Sequence, residues 1–143
     1  MLYTRILWCC AAVVAASIGW MVWAPNTHKA NEQRAAKVAV EQYIAAFAKG
    51  DGNGACDRLT DTAREAVIAL AGKVGAQSCP SAFERTRRLG GPTVQAAATK
   101  IRVGKVDVSG KRAKVTLRAA GLDAIAELDK VGDHWKIASL PKS

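Results

Sequence analysis

The chain has little from which to build a catalytic or metal centre. It holds two histidines, His28 and His134, and four cysteines, none of them in a Cys-x-x-Cys pair. That argues against the common metal-ligand spacings. No nucleophile lies beside a candidate base, and no phosphate-binding loop is present. The one glycine-rich stretch, Gly50-x-Gly52-x-Gly54, follows a helical pattern rather than a strand and lacks the loop lysine, so it reads as a turn. Aromatic residues make up only 6% of the chain and do not interleave with its basic residues, so there is no stacking platform for nucleic-acid bases. No internal repeat and no low-complexity tract is found, which excludes a solenoid and a disordered chain. No catalytic residue, cofactor or metal is implied.

Charge is also missing from residues 6–24, which read ILWCCAAVVAASIGWMVWA. A helix of that length rises about 28 Å, close to the roughly 30 Å hydrocarbon core of a bilayer. Trp8 lies near one end and Trp20 and Trp23 near the other, as interfacial aromatics do. The sequence therefore predicts a short cytoplasmic N-terminus (1–5), a transmembrane signal anchor (6–24), a linker (25–31) and one extracytoplasmic domain (32–143). A cleaved signal peptide is the competing reading, but Pro25 directly follows the best cleavage site, after Ala24. Cys9 and Cys10 read as small apolar residues facing lipid, with palmitoylation as the other option. Trp8 is too bulky for a lipoprotein signal. Lys29, Arg34 and Lys37 follow the span and only Arg5 precedes it, so the positive-inside rule leans toward the opposite orientation.

Cysteine usage argues against that lean. Cys56 and Cys79 are a pair in a small domain, which suggests one disulfide and an oxidising compartment; two separate buried thiols are the alternative. Closing a loop of that length removes unfolded-state entropy worth roughly 3 kcal/mol.

Periodicity then divides the domain in two. Ala36, Val40, Tyr43, Ile44 and Phe47 recur at spacings of three and four, predicting a helix over Glu32–Lys49 that Gly50 terminates. A helical turn over Gly54–Leu59 carries Cys56. Thr60 is a candidate N-cap for a second helix reaching about Ala71, and Thr62-Ala63-Arg64-Glu65 has capping-box spacing. Pro80 opens a third helix through Leu89, with Ser81-Ala82-Phe83-Glu84 at the same spacing, and Gly90-Gly91-Pro92 stops it.

From Lys100 to Leu140 the period falls to two, predicting four strands. Ile101 and Val103 lie on odd positions but Val106 and Val108 on even ones, so a bulge is expected at Gly104. Two-residue turns at Gly110-Lys111, Ala120-Gly121 and Gly132-Asp133 give a single register. It aligns Val106, Val115 and Ala126, and likewise Val108, Ala113, Leu128 and Ile137, on one face. The other face collects Asp107, Lys114 and Glu127 side by side, and Arg112, Asp129 and Lys136. A slip of one residue would bury all of these charges. His134 follows a turn and reads as exposed, and Trp135 alternates with Ile137 toward the helices.

The net charge is +9. Opposite charges meet across the sheet, so the excess lies in Lys29, Arg34 and Lys37 beside the span and in Arg85, Arg87 and Arg88 on the third helix. The first group suits anionic headgroups. The second is a solvated helix face or a contact for an anionic polymer or partner. Nucleic acid is not an expected partner.

The order of these elements resembles a known family. The residues are Tyr43-x-x-x-Phe47-x-x-Gly50-Asp51, then Ala55-Cys56-x-x-Leu59-Thr60, then Cys79, and finally Gly132-Asp133-His134-Trp135-Lys136-Ile137. Over residues 33–140 the chain resembles the nuclear-transport-factor-like superfamily, with its cystatin-like α+β roll, and most its bacterial membrane-anchored members with one disulfide. The resemblance implies a cone of about three helices on a curved four-stranded antiparallel sheet, with a pocket between them. Tyr43, Phe47 and Trp135 are the candidate pocket residues. Enzymatic members, isomerases and dehydratases, set a tyrosine on the first helix opposite a carboxylic acid. Tyr43 matches the tyrosine, but Asp107, Glu127 and Asp129 all point outward in the register above. The expected function is therefore a non-catalytic, membrane-anchored extracytoplasmic domain that binds a partner protein or a small apolar ligand. Two alternatives stand beside it: a small pocket enzyme using Tyr43, and binding of anionic lipid or cell-wall polymer through Arg85, Arg87 and Arg88.

Overall fold

The computed structural model describes residues 27–141. The expected span at 6–24 lies outside them, and among the described residues no helix is long and apolar enough to cross a membrane. From Gln33 on, the described residues form one compact unit, and all of its buried core residues fall between Ala36 and Ile137.

Helix α1 covers residues 27–49, so it already runs where a linker was expected. Its stripe is the expected one: Ala36 and Val40 are fully buried, and Tyr43, Ile44 and Phe47 pack against the core. Gly50, at φ 75°, ends the helix in the left-handed region. Helix α2 (Gly52–Asp57) begins two residues earlier than read, because the Asp51 carboxylate accepts from the Gly54 N–H and caps it. Helix α3 (Asp61–Gly72) starts at Thr60, whose hydroxyl accepts from the Ala63 N–H; the cap is Thr60 and not Thr62.

Helix α4 (Cys79–Thr99) differs most from expectation. Its capping box is Ser78 with Ser81 rather than Ser81 with Glu84. The first helical stretch does break at Gly90-Gly91-Pro92, as expected, but a second one follows directly, which the sequence spacing does not predict. Gly91 alone leaves helical geometry, at φ 57°, and the helix resumes through Thr99. Proline lacks only a donor that a first-turn residue does not use, so Pro92 opens the new stretch as readily as it closes the old one. A disulfide joins Cys56 on α2 to Cys79 at the start of α4, with Cα atoms 6.1 Å apart. Such a bond suggests an oxidising, extracytoplasmic environment.

The sheet is antiparallel in the order β1 (Arg102–Ser109), β2 (Arg112–Ala119), β3 (Leu122–Val131), β4 (His134–Ser139). All three turns and every pairing named from the sequence are as expected. Val106, Val115 and Ala126 align, as do Val108, Ala113, Leu128 and Ile137. The β1 ladder slips between Val103 and Val106, which places the bulge at Gly104-Lys105. On the outer face Lys114 meets Glu127, but Asp107 turns to Lys105 on its own strand rather than to Lys114.

This sheet is open and uncurled, which corrects the expected curved cone to helices packed on an open sheet. Closure would require β1 to pair with β4, and that edge of β4 is already occupied. The Ile137 N–H donates to the Arg58 carbonyl, and the Ile137 carbonyl accepts from the Thr60 N–H, so Leu59 bridges Ile137 in parallel.

One further slip lies in β4. Glu127 pairs with Ser139 while Leu128 pairs with Ile137, leaving Ala138 as the extra residue. The alternation shifts there, so Ser139 is exposed and Leu140 joins the packed inner layer.

Candidate functional site

The inner face of the sheet is filled unevenly. At the β3–β4 turn, large side chains close it: Trp135 is 4% exposed, and the Lys130 ammonium stands 5.9 Å from its ring centre. At the β2–β3 turn the sheet carries Ala119, Ala124 and Ala126, which leave space beneath α1. The result is a cavity of about 390 Å³. Val40, Tyr43 and Ile44 of α1 line one side. Leu117, Leu122 and Ile137 of the sheet line the other, and Leu140 and Pro141 close the end. Leu140 reaches this wall because of the Ala138 bulge.

Among the described residues, Tyr43 supplies the only side-chain polar atom of the lining. Burial pushes its hydroxyl pKa up from 10.0 to about 12, so the group is a neutral hydrogen-bond donor throughout the physiological range. Among the described residues, no Asp, Glu, His or Lys lines the cavity.

The three residues predicted for the pocket are dispersed. Tyr43 lines the cavity. Phe47, one turn along, faces a neighbouring cleft with Val94 and Ala97 of α4. Trp135 belongs to the packed core at the far end of the sheet and touches neither. The cavity residues that the sequence reading missed, Leu117, Leu122, Ala124 and Leu140, are inner-face positions whose alternation was readable for all but Leu140.

The arginines are dispersed too. Arg85 and Arg88 line a surface groove with Val74, Ser81, Glu84 and Leu89, and Arg88 is ion-paired to Glu84. Arg87 lies on another side of the helix, over the Gly50 backbone. No three His, Cys, Asp or Glu side chains among the described residues could hold a metal ion together.

No family model, no curated protein and no solved structure matches this chain.

Proposed function

We propose that this chain is a non-catalytic, membrane-anchored binding domain outside the cytoplasm, and that it takes a small apolar ligand in the cavity beneath α1. The observation that carries the reading is the lining itself. It combines alanines, branched aliphatics and one neutral phenol in a space within the roughly 300–1,000 Å³ typical of small-molecule sites. Anchoring rests on the uncharged run at 6–24, and the extracytoplasmic placement is supported by the Cys56–Cys79 bond. Kinship with the nuclear-transport-factor-like superfamily remains part of the proposal, supported by the order of helices α1 to α4 followed by a four-stranded meander.

Filling the cavity tests the reading. Ala124→Trp places an indole where the ligand would lie, on a half-buried inner-face position. The full chain purified from membranes should retain a bound apolar molecule, and the variant, with its far-UV spectrum unchanged, should not. Equal retention by both would remove the cavity from the account.

A further inference from the structure

Two spaces in the apolar layer meet at Ile44 and Ile101. The cavity beneath α1 has both residues in its wall, and so does a second cleft of about 580 Å³ between α1, the end of α4 and the edge strand β1. The two differ in chemistry. The second cleft has an apolar floor of Ala45, Ala48 and Val103, but Lys49 and Arg102 stand at its rim. Its single acid, Glu41, already faces Lys37 on the next turn of α1, at 3.9 Å. Lys49 and Arg102 are exposed, and neither has an ion-pair partner among the described residues.

We infer that the ligand is a long-chain carboxylate, with its tail in the cavity beneath α1 and its head group between Lys49 and Arg102. The inference rests on the cavity reading above and narrows it to one chemical class. A tail placed among Val40, Leu117 and Ala124 loses only contact with water, which favours burial. The cavity wall offers a carboxylate nothing but the Tyr43 hydroxyl, so the charged end stays outside. Ile44 and Ile101 border both spaces, so a head group reaching past them would lie by two cations, where charge-assisted hydrogen bonds replace its hydration. A cationic amphiphile would meet repulsion at the same place, and an uncharged one would leave both cations unused.

Photolabelling of the full chain in phosphatidylcholine vesicles tests this. The probes are palmitic acid with a diazirine in its tail and the matching hexadecanol, applied at alkaline pH where the carboxyl is ionised. The acid should tag residues of α1 and of the β2–β3 hairpin that line the cavity. Lys49→Glu combined with Arg102→Glu should lower that labelling about tenfold, the scale of losing charge-assisted contacts, and the alcohol should label weakly throughout. Equal cavity labelling by acid and alcohol, unchanged by the double substitution, would overturn the head-group assignment and leave an apolar site. Tags from both probes that avoid the cavity would overturn the cavity reading as well.

Discussion

Tyr43 meets Phe83 edge to face, with ring centres 6.1 Å apart and planes at 71°. Phe47 meets the same ring at 5.8 Å, so one aromatic of α4 joins two of α1. The arrangement fixes α1 against α4 and holds Tyr43 at the cavity wall. Such pairs add about 0.5–1.5 kcal/mol beyond the area they bury. Phe83→Ala should therefore lower unfolding stability by about 3–5 kcal/mol in a urea titration.

Tyr43 also gives the domain a pH dependence of defined sign. Its pKa is raised to about 12 in the folded chain, above the ordinary value of 10.0. Below pH 10 the phenol is neutral in both states and its contribution is fully present. Between pH 10 and about 12 the unfolded chain ionises first, so stability is lost as pH rises. The loss attributable to Tyr43 should reach roughly 2 kcal/mol. Tyr43→Phe should remove it while leaving stability near pH 7 within about 1 kcal/mol of the parent. Urea titrations of both proteins across this range give the comparison.

The disulfide carries a larger share. Cys56 and Cys79 are 23 positions apart, and the bond ties α2 to the first turn of α4. Cys56→Ser with Cys79→Ser should reduce stability by about 2–4 kcal/mol. The same shift should follow from adding reductant to the parent protein, and reductant should leave the double variant unaffected.

Ala120 is the one non-glycine residue with positive φ among the described residues, at 51°, and Gly121 follows at 80°. Two successive left-handed residues make the type I′ turn that suits a tight hairpin. Alanine is poorly suited to that geometry, at a cost of roughly 1–2 kcal/mol, whereas asparagine adopts it readily. Ala120→Asn should raise the unfolding midpoint by the equivalent of about 0.5–1 kcal/mol. A lowered midpoint would contradict this description of the turn.

The sheet was legible in the sequence because two constraints agreed. Turn residues set the loop lengths, and cross-strand charges excluded a one-residue slip, so even the Gly104 bulge followed from a change of parity. The helices were less legible at their ends. Ser78, Thr60 and Asp51 compete as caps with neighbours of similar chemistry, and hydrogen-bond geometry chooses among them. Gly91-Pro92 can end a helix or begin one, and sequence spacing does not distinguish the two. The cavity depended on the least legible feature of all. Nothing in Ile137-Ala138-Ser139-Leu140 marks Ala138 as the extra residue, yet that slip decides whether a serine or a leucine completes the apolar wall.

Native mass spectrometry of the full chain, purified without reductant in a mild detergent, tests the central claim most directly. The account requires a mass two hydrogen atoms below the reduced value, from the Cys56–Cys79 bond. It also requires a further bound mass, distinct from the detergent, that is released on activation and is absent from Ala124→Trp. A chain that carries no bound mass in any preparation, or carries the same one with the cavity filled, would contradict it.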